Sequence, residues 1–406
     1  MPRSGRFSGR IIAGTVLFFL AAVGLLYHRE WTLPPPSFSS PPGLKTKVMI
    51  VGDSISQGTE GDFTWRYRLW EWFQSQKIAV EFVGPYNGTV PPQGRPPPSS
   101  IPLDDNLRAT DVSKSQWGTW GGYAPSTDTL FPQENGGAHF ALWGRSAFQV
   151  RETIAQQVKT YMPDLMLVEL GFNDLGWFWG PEDTVQSMET LIRNARAANP
   201  RLKFAVSNVP YRTAIDGRDD LPVMTDHYND LLEKALPGWG TEESPVELVH
   251  FREDYTCYID DCPAGHDGLH PNALGEYQIA RAFTQTLHSK FGMGKAPLEI
   301  PDDIPPRICS TPPNVQASQA SNGINVTWDA VYGTYRYEMQ AKLPDTIEWS
   351  EGFLPTYLFY YETTWPSAGE SWEFRVRSSC GDALKSDWSG VVSAVAATSS
   401  QNTDEE

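Results

Sequence analysis

Two hydrophobic periods divide this chain. From about residue 45 to 291, short continuous apolar runs alternate with stretches whose apolar residues recur at helical spacing. Val48-Met49-Ile50-Val51, the runs at 80–84, 165–170 and 203–208, and that at 246–251 predict strands buried on both faces. Between them, 65–76 (Leu69, Trp70, Trp72, Phe73), 148–162 (Val150, Ile154, Val158) and 184–198 predict helices, as do 225–236 and 272–291. Pro163 and Asn199-Pro200 supply stops. Strands alternating with helices imply an α/β domain, a parallel sheet layered between helices. The stretch 85–137, rich in proline, glycine and scattered aromatics, fits no regular element. It reads equally as a flap over a crevice or as a decoration with its own small core.

Beyond a proline-rich linker at 292–311 the period becomes two, in Ile324-Asn325-Val326-Thr327-Trp328, Tyr335-Arg336-Tyr337-Glu338-Met339 and Trp372-Glu373-Phe374-Arg375-Val376-Arg377. Such alternation between glycine and proline turns predicts a small antiparallel all-β sandwich at 312–397, followed by a disordered acidic tail at 398–406. At the other end, Arg3, Arg6 and Arg10 precede an uncharged run at 11–27, and a proline-rich stalk occupies 31–44. Residues 1–30 thus read as a signal peptide or signal anchor, which places the remainder outside the cytosol, secreted or at the cell surface.

Composition narrows the partners. With 406 residues, 40% of them hydrophobic, and 15 tryptophans, the chain can fill two cores. A formal charge of −17 disfavours nucleic acid and anionic membrane surfaces as ligands. The four cysteines form a close pair, Cys257 and Cys262, and a distant pair, Cys309 and Cys380. In an oxidising compartment we expect each pair to bond internally, and no spacing suggests zinc. Asn87 and Asn325 begin glycosylation sequons. The oligomeric state is not legible.

The candidate chemistry stands at strand ends, where open parallel sheets place their ligands. Gly52-Asp53-Ser54 follows the first strand, and Gly171-Phe172-Asn173-Asp174 follows the run at 165–170. Either pair, Asp53-Ser54 or Asn173-Asp174, serves equally well as a helix cap. Hydrolysing an ester through a serine, however, also needs a base, a carboxylate to orient it and donors for the oxyanion. Asp267-Gly268-Leu269-His270 offers the second and first of these, three residues apart in a glycine-containing loop. The backbone N–H of Ser54, that of Gly144 and the amide of Asn173 are candidate oxyanion donors. Trp177 and Trp179 either contact substrate or pack in the core.

Taken in order, Gly52-Asp53-Ser54, Gly144, Gly171-Phe172-Asn173-Asp174 and Asp267-Gly268-Leu269-His270 resemble the four motif blocks of an SGNH (GDSL-type) hydrolase over residues 45–291. The resemblance implies a flavodoxin-like three-layer α/β/α sandwich with strand order 2-1-3-4-5. It implies Ser54 as nucleophile, His270 as base, Asp267 as its partner, an oxyanion hole of Ser54, Gly144 and Asn173, and no metal or other cofactor. Tyr67-Arg68-Leu69-Trp70, Glu81-Phe82-Val83-Gly84 and Pro163-Asp164 are similar to acetylxylan-esterase-like carbohydrate esterases. That implies an ester substrate, acetylated polysaccharide or another small acyl ester. A lipid-ester acylhydrolase and a non-catalytic wall-binding protein on a hydrolase scaffold are the alternatives. The C-terminal segment resembles a fibronectin type III domain through Trp328, Tyr337, Phe374-Arg375-Val376 and Ser386-Asp387-Trp388-Ser389, an immunoglobulin-like sandwich. Trp372 stands where that fold often has its corner tyrosine and has no hydroxyl to offer.

Overall fold

The computed structural model describes residues 45–91, 119–133, 136–356 and 358–397. The hydrophobic run at 11–27, the stalk, the acidic tail and Trp117 lie outside them. Among the described residues no helix is long and apolar enough to cross a membrane.

The first sheet is organised around β1 (Thr46–Gly52), whose Val48, Met49, Ile50 and Val51 are fully buried. One edge of β1 is shared. Its first half pairs in parallel with β2 (Val80–Phe82), while its end pairs with β4 (Ala138–Ala141), which also carries the short antiparallel β3 (Tyr86–Asn87). On the other edge follow β5 (Leu165–Glu169), β6 (Lys203–Ser207) and β7 (Val246–Val249), all parallel. Leaving aside the inserted β3 and β4, the strands run 2-1-3-4-5 in chain order, as expected. The strand expected over 246–251 stops at Val249, because Phe251–Asp254 turns helical.

The helices are α1 (Ser54–Gln57), α2 (Trp65–Ser75), α3 (Leu130–Gln133), α4 (Ala147–Tyr161), α5 (Pro181–Ala198), α6 (Leu221–Trp239), α7 (Phe251–Asp254) and α8 (Ala273–Phe291). Packing pairs α2 with α8, and α4 with α5 and α6 in succession, which gives the two outer layers. The start of α4 is set by a capping box between Ser146 and Gln149, and α8 starts at the Asn272 cap. Of the stretch 85–137, residues 92–118 and 134–135 lie outside the described residues; in the described part Phe131 is buried against Tyr67, Trp70 and Tyr123 at ring separations of 5.1, 5.7 and 5.0 Å.

The second unit stacks β11 (Phe353–Thr356), β10 (Arg336–Lys342), β13 (Ser371–Ser379) and β14 (Val392–Val395) against β12 (Tyr360–Thr363), β9 (Gly323–Thr327) and β8 (Gln316–Ala320). All pairings are antiparallel. Trp328, Tyr337, Phe374 and Val376 fill its core. The hydroxyl lock that Trp372 cannot supply comes from Tyr337, whose oxygen accepts the Val331 N–H at 2.7 Å. The stretch 292–311 is not a loose linker. Met293 is buried, Trp72 Nε1 donates to the Ala296 carbonyl at 2.9 Å, and Arg307 reaches into the seam between the two units. Cys309 bonds to Cys380, as expected.

Candidate active site

Ser54 stands two residues beyond the strand end, 6% exposed, as the first residue of α1. Asp53 caps that helix by accepting the Ile55 N–H at 2.9 Å, so capping and reactive roles fall to adjacent residues of one tripeptide. The turn is fastened from behind by Arg66. Its fully buried guanidinium donates to the carbonyls of Ser56, Gln57, Gly88 and Gly137 at 2.8 to 3.1 Å, so the charge is solvated by backbone rather than by a carboxylate.

The loop before α8 delivers the partners. His270 Nε2 lies 2.9 Å from Ser54 Oγ, and His270 Nδ1 lies 2.7 Å from Asp267 Oδ2. The other Asp267 oxygen accepts the N–H groups of His270 and Leu269 at 2.9 and 3.2 Å, which folds the four residues into one turn. Gly268 has φ +82°, and a Cβ there would meet Thr213 Oγ1 at 2.0 Å, so only glycine fits both the backbone and its neighbour. The Cys257–Cys262 disulfide forms, and Tyr255 donates its hydroxyl to the Leu269 carbonyl at 2.7 Å.

Electrostatics orders these groups. Burial would raise the Asp267 carboxyl, but the charges of His270 and His266 and its hydrogen bonds hold it far below the usual carboxylate range. Burial pulls His270 down; the charge and hydrogen bond of Asp267, with the charge of Asp53, outweigh it and leave the imidazole raised. Asp267 therefore fixes the Nδ1–H tautomer, and Nε2 is left to accept the serine proton.

The oxyanion candidates converge on Ser54 unequally. Trp143 N–H donates to Gln57 Oε1 at 2.7 Å, which ties the turn after β4 to α1. Gly144 in that turn has φ +73° with open space where a Cβ would stand. Among the described residues neither Gly144 N–H nor Ser54 N–H has an acceptor. Asn173 Nδ2 instead donates to Asp53 Oδ2 at 2.9 Å and to the Arg145 carbonyl at 3.0 Å, so an oxyanion would have to displace one of these. Trp177 and Trp179 do not pack in the core. They are 54% and 38% exposed, on the π-helical turn Asp174–Phe178 and just past it, with Trp179 against Phe148 at 4.6 Å.

Behind Ser54 lie three buried acids. Burial pushes Asp53 up to about 7 and Asp174 up to about 6, and burial together with the Asp53 charge raises Glu169 well above its ordinary value. Glu169 accepts from Ser56 Oγ at 2.7 Å, and Asp174 accepts the Ala147 and Phe148 N–H groups at the start of α4. For a metal, the one cluster among the described residues is His266, Asp267 and His270, with ligand atoms within 4.8 Å of one another. Asp267 and His270 there already bond to each other, and His270 to Ser54.

Sequence reasoning did not single out Gln57, Arg66, Trp143, Glu169 or His266. Glu169 left a trace, a charge closing an otherwise apolar run. The others act through contacts distant in sequence, which no local pattern announces.

Residues 109–277 match the GDSL-like Lipase/Acylhydrolase family, a span that includes Asn173, Asp267 and His270 but begins after Ser54. The chain is 23% identical over 311 residues to a multidomain esterase of Ruminococcus flavefaciens, covering 73% of this chain and 35% of that protein. It thus spans about a third of that relative's length. Among solved structures it is similar to a carbohydrate esterase family 3 protein from Talaromyces cellulolyticus (23% identity, 61% of this chain and 98% of that one, TM-score 0.42). It is also similar to a family 3 carbohydrate esterase of Clostridium thermocellum (17% identity, 62% and 100%, TM-score 0.41). An Fn3-like protein from Clostridium thermocellum matches at 15% identity over 22% of this chain and 93% of that one, with TM-score 0.19.

Proposed function

We propose, for a chain that carries a GDSL-like lipase/acylhydrolase domain, a serine esterase acting outside the cytosol on acetylated polysaccharide or similar small acyl esters. The observation that carries the reaction is the continuous line Ser54 Oγ, His270 Nε2, His270 Nδ1, Asp267 Oδ2, with gaps of 2.9 and 2.7 Å. His270 takes the Ser54 proton as Oγ attacks the ester carbonyl carbon. The negative charge that develops on the carbonyl oxygen is received by the N–H groups of Ser54 and Gly144 and by the Asn173 amide as it gives up the Arg145 carbonyl. His270 returns the proton to the departing alcohol and leaves an acyl group on Ser54. Water, deprotonated by His270, then releases the acid and restores the serine. No step calls on a cofactor.

Two disulfides suit an oxidising compartment, and glycans would fit the exposed Asn87 more readily than the half-buried Asn325. The substrate class draws support from the carbohydrate esterases to which the chain is similar. Exposed Trp177 and Trp179 offer faces for a sugar ring. The same exposed aromatics favour the second reading, a lipid acylhydrolase. Acetate release from acetylated xylan, assayed beside p-nitrophenyl esters of rising acyl length, separates the two. We expect acetate release and a rate that falls as the acyl chain lengthens; a preference for long chains would overturn the carbohydrate reading.

A further inference from the structure

The geometry points to a catalytic role for the C-terminal sandwich: we propose that Tyr335 is a positioning residue for the base His270, acting through His266. The proposal rests on the esterase reading above and deepens it. Four rings stand in a near-parallel column. Trp143 stacks on His270 at 4.6 Å and 22°, His270 faces His266 at 5.9 Å and 24°, and His266 lies on Tyr335 at 3.6 Å and 11°. The first three rings belong to the α/β domain. Tyr335 is a residue of the sandwich, immediately before β10.

Backbone contacts tighten the same column. His266 N–H donates to the His270 carbonyl at 2.8 Å and so closes the turn that holds Asp267, while Asp382 N–H, from the sandwich, donates to the His266 carbonyl at 2.8 Å. Tyr335 is itself clamped. The Arg307 guanidinium lies 4.0 Å over its ring, and its hydroxyl donates to Asp62 Oδ1 at 2.8 Å, with Arg307 paired to the same carboxylate. Directly beside this contact the seam between the two domains leaves a cavity of about 720 Å³, lined by His266, Tyr335 and Arg307 as well as by Leu274, Pro306 and Val331. The stacked rings are therefore a point of close contact beside open space. A spacer module would have no reason to seat an aromatic ring on the residue that precedes the triad aspartate.

Removing the Tyr335 ring frees His266, and with it the turn carrying Asp267 and His270, while Ser54 stays fixed on β1. A misplacement of this kind can lower the chemical step by as much as ~100-fold. In the full-length chain we expect Tyr335→Ala to lower kcat about 10- to 100-fold with KM within about twofold and the fluorophosphonate labelling rate reduced in step. Tyr335→Phe keeps the ring and loses only the hydroxyl bond, so it should restore kcat to within about twofold of wild type. Tyr335→Leu, which retains apolar volume without a ring, should behave like the alanine variant and keeps the test open if that variant does not fold. Unchanged kcat in folded Tyr335→Ala or Tyr335→Leu would overturn the positioning role while leaving the esterase intact, and so would a Phe variant as slow as Ala. A wild-type chain that neither hydrolyses esters nor labels would overturn the esterase reading, and this proposal with it.

Discussion

The serine and the histidine of this site are held by different kinds of structure. Ser54 follows a strand paired on both edges and buried except at Lys47, and the turn that carries it is tied down by Arg66 from the adjacent helix. His270 sits in a loop with several separate supports: nearby, a disulfide and the Tyr255 hydroxyl, and from farther along the chain Thr213 beside Gly268 and the C-terminal sandwich. The proposed nucleophile, Ser54, is thus placed by the sheet's own core, and the proposed base, His270, by the loop. That loop is held by an assembly, which makes it the half more open to distant perturbation.

The harshest way to break the comparison is Asp267→Asn. Only the base half loses its orienter: the amide cannot hold the Nδ1–H tautomer, while Ser54 and its turn are untouched. We expect kcat to fall by roughly 10⁴-fold with a small change in KM, measured by steady-state kinetics on a p-nitrophenyl ester. A fall under tenfold would mean that the loop's other supports orient His270 unaided.

Asp53→Asn probes the nucleophile half more gently, through pH. Asp53 raises the His270 pKa by its charge, so removing that charge should move the acidic limb of kcat/KM to lower pH. Stability should respond as well. The folded Asp53 pKa, about 7, lies above an unfolded value near 3.9, so its contribution is present below pH ~4 and is lost as pH rises through about 7. The difference in Tm, variant minus wild type, should therefore become more positive between pH 5 and pH 8. A flat difference in thermal melts at the two pH values would show that Asp53 titrates normally in the fold.

The same contrast governs what the sequence revealed. Val48-Met49-Ile50-Val51 and the run at 165–170 announced themselves because a strand buried on both faces has no polar positions to interrupt it. Ser54 and Asn173 were legible because each follows the end of such a strand, and Asp267 and His270 because they lie three residues apart in a glycine-containing loop. Arg66 was not, since a buried cation solvated by backbone carbonyls looks in sequence like any helical arginine. Nor were His266 and Tyr335, which meet across the seam from 69 positions apart in sequence. Local hydrophobic period carries no information about such a contact. Trp177 and Trp179 remained undecided between core and surface because an aromatic fits either, and the structure turns them outward. In 85–137 the scattered aromatics fit flap and decoration alike; of these Phe131 packs on Trp70 of α2, while 92–118 lie outside the described residues.

In the proposed reaction Ser54 attacks an ester carbon with its own oxygen. Incubation with a serine-directed fluorophosphonate, followed by intact-mass and peptide mapping of the wild type and of Ser54→Ala, tests this step. We expect one covalent adduct per wild-type chain, located on Ser54, and none on the variant. A folded wild-type chain that takes up no label, or a variant that labels as readily as the wild type, would contradict it.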